Sequence, residues 1–464
     1  MSTATSSEHL ADFRARIEDL AQREGLDYYP IDFELVPDTF MMEVAIYGLP
    51  VRMPHWSFGV RYIYQHVQHR MGHSRIFEVI FPGNPNRAYL QSRNTLAENT
   101  LVTAHVLGHA DFSKHNELFA RMQSEVGYRI VEQAADRAHR IENAIRDHGP
   151  ERVERVLDAA LALEQCIDVS RPLARSDYPE WLEAPRAPEA RDPGFDRRYR
   201  TLPGEERPPA PAAQRQRASI PPAPESDLLW FIARHAPDLE GWERDIFLAV
   251  REESYYFYPL FACQIMNEGW ASYWHARLLR ESEFLPTQIY VDAIKAHSDV
   301  VRPYAGEGAV ALQLNPYHLG FCIWERIIEQ QGLEAAWAIR REEDDFSFIR
   351  NHLDADLADE LGLFAFTRRG KARNLRYEVR EAEIDELREL ILAPKFHYGG
   401  PRVRAVGIRR DGGLELAHDA TTDGRGLDLE RAERVLEYMH RVWQRPVHLV
   451  TVDADDRPFE LETS

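Results

Sequence analysis

The chain has 464 residues, 44% hydrophobic and 28% charged. At roughly three times a typical domain's length it can bury a sizeable core, which excludes wholesale disorder. Lys and Arg number 56 against 76 Asp and Glu, a formal charge of −20, which argues against a nucleic-acid coat or a binder of anionic membranes.

At the N-terminus, Leu10, Phe13, Ile17 and Leu20 recur at helical spacing, which predicts an amphipathic helix over 8–24. That segment has no apolar core of a secretory signal, and no apolar run reaches the ~18–20 residues of a membrane span. The expectation is a cytoplasmic protein without membrane insertion or nucleic-acid partner. Residues 28–60 read as irregular, with short extended pieces, and Tyr62–His73 as a helix. The string FEVIFPGNP from Phe77 reads as a strand ended by Pro82, Gly83 and Pro85. Asn94 to about Arg146 reads as one or two long helices, stopped at Gly149-Pro150, where a new helix opens on Val153, Val156, Leu157, Ala160 and Leu161.

Residues 172–226 break this texture. Twelve of the 28 prolines fall there, with few large aliphatics, so the segment reads as flexible. Helical periodicity resumes at Asp227, with Pro259 expected to kink or divide it, and continues through helices near 287–301 and 318–331. After about 362 strand-length runs alternate with two helices, and Asp411-Gly-Gly supplies turn chemistry. The predicted fold is mainly α. It comprises a helical domain in two parts, 1–171 and 227–361, compatible with a zincin-like arrangement of helices, and a small α+β domain at 362–464.

Cys166, Cys263 and Cys322 lie far apart without a CxxC, which excludes a disulfide framework and a zinc-thiolate site. His105 and His109 are four residues apart in LVTAHVLGHADF and share a helix face. With 19 His in 464 positions chance supplies about one such pair, and His69 and His73 form a second. Val106 stands where HExxH metalloproteases carry their general base. In CQIMNEGWASYWHARLL, Glu268, Ser272 and His275 form a polar stripe on an otherwise apolar, aromatic helix. A carboxylate and an imidazole there need a partner or a metal.

The strings AHVLGHADFSKHN, REESYYFYP, IMNEGWASYWH and NPYHLGF follow one another in this order. In these strings, in the upstream FELVPDTFMMEVAIYGLPVRMPHWSFG and in the tail GRGLDLERAERVLEYMHRVW, the chain resembles the stage V sporulation protein R (SpoVR) family. The resemblance implies a bacterial cytoplasmic protein associated with spore cortex formation or with stress and stationary-phase physiology. It also implies a PrkA-type serine kinase and a von Willebrand A-like protein as partners. No settled activity comes with it.

Two functions are therefore expected. One is a regulator or scaffold in a kinase-linked assembly. The other is a metal-dependent hydrolase acting on a peptide or a peptidoglycan precursor. In the second, His105, His109 and Glu268 hold a divalent metal, zinc or iron, and Asp111, His275 or Glu253 supplies the base that position 106 lacks.

Overall fold

The structure, a computed structural model, describes residues 3–59, 61, 78–183, 215–302, 315–369, 376–380, 382–422, 424–452 and 457–463. The helix expected over Tyr62–His73 lies outside them, as do His69, His73 and most of the Pro-rich segment.

The first part comprises α1 (Thr3–Arg23), β1 (Ile31–Val36), α2 (Asp38–Tyr47), β2 (Glu78–Phe81), β3 (Asn86–Gln91), α3 (Leu96–His115), α4 (Glu117–Val126), α5 (Ile130–His148) and α6 (Pro150–Ala162). The strands form a sheet of order β1-β3-β2, in which β1 runs parallel and β2 antiparallel to β3. Glu78 opens β2 and pairs in register with Leu90. Helix α3 starts with a capping box between Thr95 and Glu98. Nearly every residue from Ala97 to Ser113 is buried, as expected of a helix surrounded on all sides. The stretch from Asn94 to Arg146 divides into three helices rather than one or two. Asn116 makes the first break: its side-chain oxygen accepts the Leu118 and Phe119 N–H groups, and its amide donates to the Arg340 and Glu343 carbonyls. Gly127, with φ of 101°, makes the second.

The short strands β4 (Trp181–Glu183) and β5 (Arg215–Arg217) pair antiparallel where the described chain leaves and re-enters the Pro-rich stretch. Beside them Arg175 is ion-paired to Glu225, and the Tyr178 hydroxyl donates to the same carboxylate at 2.6 Å.

Next come α7 (Leu228–His235), α8 (Gly241–Ala262), α9 (Gln264–Arg280), α10 (Thr287–Val300), α11 (Pro316–Glu342), α12 (Asp345–His352) and α13 (Ala355–Glu360). Helix α8 runs through Pro259, and the division falls at Cys263. There the buried Asp345 carboxylate accepts the Ile265 and Met266 N–H groups, each at 2.9 Å, and so starts α9. Helix α3 packs against α1, α9, α10 and α11. The approach is backbone to backbone. A Cβ on Gly269 would lie 2.2 Å from the Gly320 carbonyl carbon, and one on Gly108 would lie 2.7 Å from the Ala271 Cα. Glycine is what lets α3, α9 and α11 meet this closely.

The change of texture near residue 362 and the start of the C-terminal sheet are separate events. Strands β6 (Ala365–Arg369) and β7 (Arg376–Arg380) form their own hairpin, followed by α14 (Ile384–Leu392). Ala365, Leu387 and Leu392 join the core built on Trp270, Trp274 and Trp324. The C-terminal sheet, of order β11-β10-β9-β8, comprises β8 (Val403–Ile408), β9 (Leu414–His418), β10 (Val447–Val452) and β11 (Pro458–Glu462), with α15 (Leu429–Trp443) between β9 and β10. Strands β9 and β10 run parallel and the outer pairs antiparallel. The buried face of this sheet shares a core with α6, α7 and α8 through Leu414, Leu416, Val447 and Leu449. The molecule is mainly α with a small C-terminal sheet unit, as the sequence predicts. Among the described residues no helix is long and apolar enough to cross a membrane.

Candidate metal centre

Helix α3 brings His105 and His109 to one face, one turn apart, with ring centroids 4.5 Å from each other. Helix α9 lies against that face and points Glu268 at both. The Glu268 Oε2 is 3.3 Å from His109 Nε2 and 3.6 Å from His105 Nε2. One ligand atom from each of the three residues falls within 4.8 Å of the others. The buried His105 Nε2 and Glu268 Oε2 have no hydrogen-bond partner, an expensive arrangement for a fold to maintain.

The spacing is informative. A direct hydrogen bond would sit nearer 2.9 Å. Two atoms each about 2.1 Å from a tetrahedral cation stand about 3.4 Å apart, and 3.3 and 3.6 Å bracket that value. The donor set, two imidazoles and a carboxylate, suits zinc or ferrous iron and leaves coordination positions open. The residues present fit a divalent cation.

Asn267 and His275 orient the two imidazoles from behind. His109 Nδ1 donates to Asn267 Oδ1 at 2.8 Å, which leaves its Nε2 lone pair facing the centre. His105 Nδ1 lies 2.9 Å from His275 Nδ1. Burial disfavours charge on Glu268, yet His109 and His105 outweigh it and hold the carboxyl down, at about 2. Burial likewise opposes the charge on His109, and the Glu268 carboxylate more than offsets it, so His109 is raised. The Tyr317 phenol, at the first turn of α11, is pushed well up by the Glu268 charge and by burial. It therefore stays a neutral donor beside that carboxylate, its ring stacked 6.1 Å from His105.

Glu78 is the addition that sequence reasoning missed. From the start of β2 its Oε1 reaches within 3.8 Å of His105 Nε2. Burial raises its carboxyl despite the nearby imidazoles. Its only sequence signal is an acidic residue opening an otherwise apolar strand.

His105, His109 and Glu268 are thus brought together. Of the three expected bases, His275 lies behind His105 rather than in the centre, and the other two are elsewhere. Asp111 is two residues past His109, which on a helix is a rotation of about 200° to the opposite face. Both its oxygens are engaged: Oδ1 accepts the Asp27 N–H at 3.0 Å, and Oδ2 accepts Trp270 Nε1 at 2.9 Å and the Arg340 guanidinium. Glu253 on α8 is fully buried against Arg52, which donates to its Oε2 at 2.8 Å, while its Oε1 makes no hydrogen bond and stands 4.0 Å from Arg137. Both carboxylates sit in ion pairs with arginines. Val106 is buried among the apolar side chains of Val102, Leu279 and Leu285.

Residues 4–397 match the family model described as SpoVR like protein, and residues 402–454 match that of the SpoVR-like C-terminal domain. The uncharacterized protein YcgB of Escherichia coli (strain K12) is 32% identical over 327 residues, which are 68% of this chain and 62% of that protein. The chain therefore spans less than two thirds of that relative's length. No solved structure matches. With every residue of the centre inside the larger match, the chain belongs to the SpoVR family.

Proposed function

We propose that this protein is a metal-dependent hydrolase whose divalent cation is held by His105, His109 and Glu268. The observation that carries the reading is the convergence of buried ligand atoms, two of them unpartnered, at metal-ligand rather than hydrogen-bond spacing. When bound, the cation would supply Lewis acidity and make a coordinated water a nucleophile near neutral pH. Glu78, whose Oε1 lies 3.8 Å from His105 Nε2, would take the role of the glutamate absent at position 106, as the acceptor of a proton. Tyr317 would donate to oxygen charge developing beside Glu268. A peptide or peptidoglycan-precursor amide is the substrate class that the association with spore cortex implies.

The second reading is a regulator or scaffold in a kinase-linked cytoplasmic assembly, with a PrkA-type kinase and a von Willebrand A-like protein as partners. The net charge of −20 favours it, since such a surface suits docking to proteins over nucleic acid. Elemental analysis of protein purified without a His-tag separates the two. The hydrolase reading expects about one zinc or iron per chain, lost in His105→Ala and Glu268→Ala and retained in Glu78→Gln. Wild-type protein that stays metal-free when zinc, iron and manganese are supplied overturns it and leaves the scaffold.

A further inference from the structure

Behind His105 stands a row of imidazoles that the proposed chemistry does not use. His275, fully buried on α9, has both ring nitrogens engaged by other rings. Its Nδ1 is 2.9 Å from His105 Nδ1, and its Nε2 is 2.5 Å from Nδ1 of His297 on α10. His297 is only half-buried, its ring 5.6 Å from Phe321. The row therefore runs from the centre towards the outside of the helical body.

Each nitrogen-to-nitrogen contact admits one proton, so the three rings are not independent. When a cation takes the His105 Nε2 lone pair, the His105 proton sits on Nδ1 and donates to His275 Nδ1. His275 then carries its proton on Nε2 and donates to His297 Nδ1, which places the His297 proton on Nε2, facing outward. Without a cation, a lone pair on His105 Nε2 would face the carboxylates of Glu268 and Glu78, 3.6 and 3.8 Å away. A proton there is favoured instead, and every ring in the row reverses. Three protons are present in both states, so nothing is gained or lost. Burial holds the His275 imidazole well below its ordinary range, and burial with the Arg280 guanidinium holds His297 at about 4. Both rings are neutral near pH 7, and what moves is a tautomer, not a charge.

We infer that His275 and His297 are positioning residues that set the ring tautomer of His105 and reverse together with it when the centre takes up a cation. The inference rests on the metal-centre reading. It predicts that the outward nitrogen of His297 is an acceptor in the cation-free protein and a donor in the loaded one. It also predicts that His297 must accept a hydrogen bond for full cation affinity, because removing a partner that orients a metal-bound His costs about 10–100-fold.

The test is nitrogen NMR on ¹⁵N-histidine-labelled full-length protein, cation-free and zinc-loaded, with resonances assigned through single substitutions and zinc stoichiometry measured on the same samples. With zinc bound, the protons of His275 and His297 are expected to move from Nδ1 to Nε2. Zinc affinity should fall about tenfold in His297→Phe and be largely restored in His297→Asn, whose carbonyl can accept from His275 Nε2. A generic packing role would not discriminate the two variants in this way. Zinc bound near one per chain with both tautomers unchanged overturns the relay and leaves the metal centre standing. Failure to bind zinc at all overturns both.

Discussion

Placing one methyl group on Gly269 tests whether the close approach of α9 and α11 organises the centre. The added Cβ would lie 2.2 Å from the Gly320 carbonyl carbon, 2.5 Å from its Cα and 2.6 Å from its oxygen. All three are backbone atoms and cannot rotate away. Contacts below 3.0 Å essentially never occur, so the helices must part by about 0.8 Å, next to Glu268. Overpacking of this kind costs roughly 1–3 kcal/mol, here at the upper end because backbone meets backbone. Replacing a helical glycine returns about 1 kcal/mol. The net loss for Gly269→Ala is about 2 kcal/mol, a melting-point drop of about 2 °C for a chain of this length. Metal distances tolerate about 0.2 Å, so cation affinity should fall as well. The matching control is Gly241→Ala at the start of α8, where a Cβ meets nothing within 4 Å. Thermal melts of both variants, with metal content of the folded protein, decide the matter. A Gly269→Ala protein that melts with the control and keeps its metal would refute the reasoning.

Asp111→Ala leaves the Arg340 guanidinium buried and unpaired and should cost about 3–5 kcal/mol by denaturant titration. Metal per folded chain should be unchanged, whereas a catalytic Asp111 would lower turnover without so large a loss of stability. Asp345 has its carboxyl raised to about 6, chiefly by burial and despite Lys395 and the two N–H groups it accepts. Its folded value exceeds the unfolded one. The stabilisation from its protonation is therefore complete below about pH 4 and is lost as pH rises to about 6, up to roughly 3 kcal/mol. Urea titrations across pH 4–7 should show that decline in the wild type and a flatter profile in Asp345→Asn.

The ligands on helices were legible because a helix converts spacing into a face. His105 with His109, and Glu268 with His275 seven residues on, align at steps of four and seven. The cost of burying them among Val102, Val106, Trp270 and Trp274 demanded a shared explanation. The same geometry places Asp111 on the face away from His109, since a step of two residues reverses the face. Glu78 was not legible. Its place depends on β2 pairing with β3, and on β3 lying beside α3, which are long-range contacts without local periodicity. Glu253 sits beside aromatic residues one turn on, and nothing local shows that Arg52, 201 positions earlier, comes to meet it. The helix and strand order after Asp227 followed the pattern closely. The break at Cys263 rather than Pro259 did not, because the group that starts α9, Asp345, lies about eighty residues downstream.

The hydrogen bonds around Glu225 bear on how the chain could be cut and rejoined. Its backbone exchanges both bonds with Ala405 of β8, at 2.8 and 2.9 Å, while its carboxylate holds Arg175 and Tyr178 from the start of the Pro-rich stretch. With β4 and β5 paired alongside, the chain leaves and returns at nearly one point, and the third party at that point is the C-terminal sheet. A single hydrolytic nick between residues 184 and 214 should therefore leave both pieces associated through buried contacts, as a non-covalent complex that co-elutes from a sizing column.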